Sequence, residues 1–184
     1  MKKSTKIILS VLGVILVLIL ICYAALWFFF AGSYTRRSIS IYEKLSAEHE
    51  LLPEIDELGN YTDVKFRHFH KNYYIFCCDS YTLKVIYDDE TYETQKKQLD
   101  LNFMFQDEPI DNLDEQDIEP SFSYDGYDFR FLSDDYLAFD FPKKIYLIGT
   151  NDNEKTMAYI YFEDKDLDSL GSVEFLMEEY INFK

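Results

Sequence analysis

The chain has 184 residues and carries 18 Lys+Arg against 34 Asp+Glu, a net charge of -16. Its first 30 residues hold Lys2, Lys3 and Lys6 and no acid, so residues 31–184 hold 15 basic and 34 acidic side chains, a net of -19. An acidic body repels phosphate, which excludes nucleic-acid binding and polybasic docking to anionic lipid. The 28 aromatic residues beyond residue 30 exclude a solvated, disordered tail.

Residues 1–6 form a basic tail, and residues 7–31 contain no charged side chain. A helix over that run is ~37 Å long, enough to cross a hydrocarbon core of ~30 Å. Tyr23 and Trp27 near its far end suit the membrane interface. The run exceeds the ~7–15 apolar residues of a cleaved signal peptide, and Ala31-Gly32-Ser33 is a poor cleavage site. Cys22 follows Leu20 and Ile21 rather than the small residue that precedes a lipid-modified cysteine. Residues 7–31 therefore read as an uncleaved single-pass anchor. Lys2, Lys3, Lys6 and the amino terminus outweigh Arg36 and Arg37 across it, which predicts a cytoplasmic N-terminus and an extracytoplasmic body in a cell membrane.

Residues 32–184 are enough for one acidic α+β domain. Residues 34–58 read as a helical spacer, with Ile41, Tyr42, Leu45 and Leu52 on one face, a break at Pro53 and a stop at Gly59-Asn60. A three-stranded meander follows. Val64, Phe66 and His68 alternate with Lys65 and Arg67; Tyr73 to Cys78 is an unbroken apolar run suited to a central strand; Asp79-Ser80 is the turn into Leu83, Val85 and Tyr87. Asp88 or Asp89 caps a helix running to about Phe103, with Tyr92, Leu99 and Phe103 on one side. Asp125-Gly126, flanked by alternating aromatics, is a two-residue hairpin turn. A second hairpin pairs 144–150 with 155–162, and a helix over about 172–182 turns Phe175, Leu176 and Tyr180 to the core. The predicted sheet is antiparallel, of five to seven strands, with helices on one face.

Two stretches carry a resemblance. Leu83-x-Val85-x-Tyr87-Asp88 with Tyr92, and Ala158-Tyr159-x-Tyr161-Phe162-x-Asp164-x-Asp166-Leu167-Asp168, are similar to those of an uncharacterised group of small, single-span membrane-anchored proteins of low-GC Gram-positive bacteria. The resemblance implies a bacterial host class and no chemistry.

Candidate sites are few. Asp164, Asp166 and Asp168 alternate as at the start of a calcium loop, but an EF-hand needs Gly and Glu where Ser169 and Phe175 stand. His68 and His70 share one face of a predicted strand, where two imidazoles plus a carboxylate can hold a metal; the neighbouring Lys65, Arg67 and Lys71 read instead as a surface strand. His49-Glu50 lacks the second histidine of HExxH, because Pro53 occupies its place. Cys77 and Cys78 point to opposite faces of a strand and read as small buried residues. The acidic strip Asp107 to Glu119, with Ile110, Leu113 and Ile118 as apolar teeth, reads as a solvated loop or a docking strip for a basic protein.

No GxSxG, SxxK or P-loop motif occurs, so no catalytic residue, metal, cofactor or small-molecule substrate is assigned. The sequence predicts a membrane-anchored binding or accessory module that recognises a basic protein through its acidic surface. A calcium-responsive extracytoplasmic domain using the Asp164–Asp168 loop, and an inhibitor or immunity-type protein against a cationic effector, are the alternatives.

Overall fold

Hydrophobic alternation organises the body into a sheet with two covered faces. The computed structural model describes residues 3–30, 32–73, 76–110, 116–133, 143–164 and 170–184. Helix α1 (Lys3–Phe30) is followed by strand β1 (Ser33–Arg36), helix α2 (Ile39–Ser46) and a 3-10 turn (Ile55–Leu58). Strands β2 (Asp63–Tyr73) and β3 (Phe76–Ile86), helix α3 (Asp89–Asn102) and strands β4 (Ser121–Tyr124) and β5 (Tyr127–Phe131) come next. Strands β6 (Lys143–Asn151) and β7 (Thr156–Asp164) lead to a short helix α4 (Val173–Phe175) that continues as a π-helical turn (Leu176–Tyr180).

The seven strands form one antiparallel sheet in the order β1-β2-β3-β7-β6-β5-β4. The architecture is α+β, as the sequence predicts. Strand β7 lies at the centre, and its side chains are buried on both faces from Thr156 to Phe162. Met157, Tyr159 and Tyr161 join Tyr42, Leu45, Leu52, Leu58, Tyr92 and Leu99, which come from α2, the segment after it and α3. Ala158, Ile160 and Phe162 join Leu176, Met177, Tyr180, Ile181 and Phe183 from the C-terminal segment. The two longer body helices thus share one face, and the C-terminal helical turn covers the other. The edge strands β1 and β4 have four residues each, which limits the unpaired backbone open to edge-to-edge association.

Local chemistry explains the elements that match expectation. Asp88 caps α3 by accepting from Thr91 N at 2.7 Å. Asp125 and Gly126 both adopt positive φ (51° and 80°), the twist that a two-residue hairpin requires. Gly149 faces Phe129 across the β5–β6 ladder, and the Phe129 ring lies where a Cβ would stand.

Three expectations are corrected. The helical spacer over 34–58 does not form: Ser33–Arg36 pairs with His68–Lys71 as an edge strand, and only Ile39–Ser46 and Ile55–Leu58 are helical. Backbone pairing to β2 outweighs a weak local helix preference, and Pro53 separates the two helical pieces. The predicted meander is a single long hairpin: β2 ends at Tyr73, β3 starts at Phe76, and Asp79-Ser80 lies within β3 opposite Phe69 and His70. Aspartate and serine favour turns by bonding their own backbone; here Asp79 binds two histidines and Ser80 Oγ donates to Ile181 O at 3.0 Å, so the ladder continues. The C-terminal helix is shorter than predicted, and Phe175 points outward at 47% exposure, while Ile181 and Phe183 beyond it are buried.

Helix α1 is long and apolar enough to cross a membrane, and no part of Ser10–Trp27 is buried against the body.

Candidate functional site

Strand alternation places a row of polar aromatic residues on the α2/α3 face of the sheet, running from β1 to β6. The register sets Tyr34 opposite His70, His70 opposite Asp79, His68 opposite Tyr81, Tyr81 opposite Tyr161 and Tyr161 opposite Tyr146. Cross-strand partners share a face, so their rings meet. Tyr34 stacks on His70 (centroids 4.7 Å apart), His68 on Tyr81 (4.3 Å) and Tyr81 on Tyr161 (5.9 Å). His49, in the segment after α2, closes the row: its Nδ1 lies 2.9 Å from the Tyr146 hydroxyl and its ring 4.3 Å from that of Tyr161. All three histidines of the chain stand in this row.

The row is most concentrated at Asp79. His68 Nε2 and His70 Nδ1 lie 2.6 and 2.9 Å from the same oxygen, Asp79 Oδ1. His70 Nε2 lies 2.9 Å from Asn72 Oδ1. The side chains of His68, His70 and Asp79 are 7%, 15% and 21% exposed. Burial pushes the Asp79 carboxyl up, but the hydrogen bonds from His68 and His70 outweigh it and hold it below the ordinary carboxylate range. Burial, then the Asp79 and Glu163 carboxylates, push the Tyr81 phenol up to about 12. One potential ligand atom from each of His68, His70 and Asp79 falls within a mutual distance of 4.8 Å. The sequence pairs His68 with His70; Asp79, which completes the cluster, is placed there only by the long β2–β3 hairpin.

The helical layer on the same face is acidic. Residues 39–58 and 88–102 contain eleven acids against Lys44, Lys96 and Lys97, a net of -8, and all eleven acids are exposed. Glu43, Glu54 and Asp56 line one groove. Asp88, Asp89 and Glu90 line another, and Gly59 in the first groove adjoins Asn60 in the second. The opposite face carries cations. Arg37, Lys65, Arg67, Lys84 and Lys184 surround a groove of about 460 Å³. Arg67 and Lys84 are committed there to the C-terminal segment: Arg67 Nη1 donates to Lys184 O at 2.7 Å, and Lys84 Nζ to Phe183 O at 3.2 Å.

Other sequence candidates separate. Asp164 is buried at the end of β7, and residues 165–169, with Asp166 and Asp168, lie outside the described residues. Cys78 is buried and burial, then Asp164, pushes its thiol up to about 12, as suits an inert core residue. Ile110 and Ile118 pair with each other and are buried in the core; 111–115, including Leu113, lie outside the described residues. No family model, no curated protein and no solved structure matches this chain.

Proposed function

We propose that the protein is a single-pass, membrane-anchored recognition module, with its N-terminus cytoplasmic and its body extracytoplasmic, that binds a basic protein segment on the α2–α3 layer. The observation that carries this reading is the segregation of charge: eleven exposed acids against three lysines on one helical layer. On the opposite face Arg67 and Lys84 hold the C-terminal segment, whose Glu178 and Glu179 pair with Lys184 and Lys71. Segregated charge steers a complementary partner and repels like-charged ones. The host class is the low-GC Gram-positive cell envelope, on the two stretches of resemblance. Helix α1 supplies the anchor, since Ser10–Trp27 within it is apolar and none of it is buried against the body.

The connection between anchor and body gives the reading a geometry. Three residues take the chain from Phe30 to Ser33, the first residue of β1. At ~3.5 Å per residue the sheet edge then begins within about 10 Å of the end of α1. The body lies against the membrane surface rather than on a stalk, so its partner is itself membrane-associated or reaches the bilayer.

A photo-crosslinking residue at Asp56 or Glu90, in native membranes, should capture a basic protein, and a wash at ~1 M salt before irradiation should abolish capture because the Debye length falls to ~3 Å. Equal capture from Glu174, exposed in α4 on the opposite face, or capture that ignores salt, would refute the docking face. Protease added to intact cells should remove the body; an intact body would reverse the orientation.

A further inference from the structure

We infer that His68, His70 and Asp79 form a binding site for a divalent transition-metal ion of the zinc class, with a fourth position left open. Two imidazoles and one carboxylate are a donor set that zinc takes when it keeps one site for water or an added ligand. The three side chains are on adjacent antiparallel strands, and His70 and Asp79 are a direct cross-strand pair. The ladder therefore holds the donors without help from any loop. His68 Nε2 and His70 Nδ1 already converge on Asp79 Oδ1, at 2.6 and 2.9 Å. A tetrahedral ion with bonds of ~2.0–2.1 Å spaces its ligand atoms by roughly 3.3 Å. The three ligand atoms lie within 4.8 Å of one another, so the carboxylate has to draw back and the two imidazoles to close in before that spacing is reached.

The surroundings fit metal ligation as well as the donors do. A ligating histidine usually has its other ring nitrogen held by an outer partner, which fixes its tautomer. Asn72 Oδ1 stands 2.9 Å from His70 Nε2 and can accept that proton, leaving Nδ1 free to bind. His68 Nε2 gives its proton to Asp79 in the ion-free protein, and an ion would take that place; the other ring nitrogen, Nδ1, is buried with no hydrogen-bond partner among the described residues. Tyr34 covers His70 from the edge strand and Tyr81 backs His68, so aromatic walls restrict the approach of water. His49, beyond Tyr81 and Tyr161 in the row, is outside the ligand set. This assignment does not depend on the docking face or on the membrane anchor.

Titration calorimetry of the full-length protein in detergent with Zn²⁺ tests it. The expected result is one ion per chain, with affinity reduced at least ~10-fold in His70→Gln and in Asp79→Asn, and unchanged in His49→Gln. Co²⁺ bound to the wild type should show the visible absorption of a four-coordinate site, and Asp79→Asn should change it. The melting temperature of the wild type should rise with Zn²⁺, because an ion bound only by the folded state stabilises it. No uptake by the wild type would overturn the inference and leave His68–Asp79–His70 as a hydrogen-bonded trio. Uptake that persists unchanged in both ligand variants would overturn it equally. Asp79→Asn keeps the size and shape of the side chain, and circular dichroism establishes whether each variant is folded before its affinity is read.

Discussion

Phe183 should matter far more to stability than Phe175, although both are C-terminal phenylalanines and only Phe175 has the spacing of a helical core residue. Phe183 is 1% exposed. Its ring meets Tyr127 and Phe129 edge to face, each at 5.1 Å between centroids, and Lys84 Nζ stands 3.7 Å from its centre. Truncating a buried phenylalanine costs about 3–5 kcal/mol through lost transfer energy and the cavity left behind. The edge-to-face pairs and the half-buried cation place Phe183→Ala in the upper part of that range. Phe175 is 47% exposed and touches Tyr180 and Gly171. With half its surface already in water, Phe175→Ala should cost about 1 kcal/mol. Against a total stability of about 5–15 kcal/mol, the first change removes a large share and the second little.

Urea unfolding of the full chain in detergent, followed by near-ultraviolet circular dichroism of the tyrosines, reads both changes. The single tryptophan, Trp27, lies in α1 and would report on that helix instead. At a urea slope of about 2 kcal/mol per molar, Phe183→Ala should lower the midpoint by about 2 M and Phe175→Ala by about 0.5 M. Equal shifts, or a larger shift for Phe175→Ala, would refute the placement of the C-terminal segment across the sheet.

Two further perturbations follow from the core and the aromatic row. Gly149→Ala should destabilise by about 1–3 kcal/mol, because its Cβ would enter the Phe129 ring across the ladder; Gly149→Ala combined with Phe129→Leu should cost less than the sum of the single changes. His49 titrates low in the folded protein because of burial, then the nearby Lys144, with the Glu163 and Glu48 carboxylates opposing. A histidine whose folded pKa is depressed contributes fully above its unfolded value of ~6.5 and loses that contribution as pH falls below it. The melting temperature should therefore fall as the pH drops below about 6.5, and His49→Gln should flatten that limb. An unchanged slope in the variant would show that the His49–Tyr146 contact carries no pH linkage.

Much of the fold is legible in local sequence because local chemistry and global structure agree there. Asp88 is a cap by residue type and is a cap in the structure. Asp125-Gly126 can adopt positive φ at both positions and does so. The elements that escape local reading are those set by distant partners. Ser-Tyr-Thr-Arg at 33–36 is too short and too polar to register as a strand, and it becomes one only because β2 offers an unpaired edge. Phe183 follows the last predicted helix and carries no periodic signal; its burial comes from the carbonyl contacts that Lys84, Arg67 and Ser80 make with Ile181, Phe183 and Lys184.

The candidate metal site shows how one turn decides what can be seen. Two histidines at alternate positions are visible as a same-face pair, whereas their carboxylate depends on where the hairpin closes. A turn at Asp79-Ser80 would set Cys78 opposite Tyr81 and remove Asp79 from the ladder. Closure between Tyr73 and Phe76 sets His70 opposite Asp79 and His68 opposite Tyr81, which assembles the cluster in one step. The same residue thus misleads and informs: aspartate at position 79 resembles a turn because its carboxylate needs hydrogen-bond donors, and the strand is tolerated because His68 and His70 supply them. Replacing those donors by apolar residues should therefore do more than remove ligands. With both histidines changed to leucine, Asp79 is left half-buried without its donors, a cost of about 1–3 kcal/mol. Adding Asp79→Leu to that pair should recover part of the loss, because the buried charge leaves with it. Recovery in the triple variant, read by the same urea midpoint, would establish that the three side chains act as a unit; strictly additive losses would show three separate contacts.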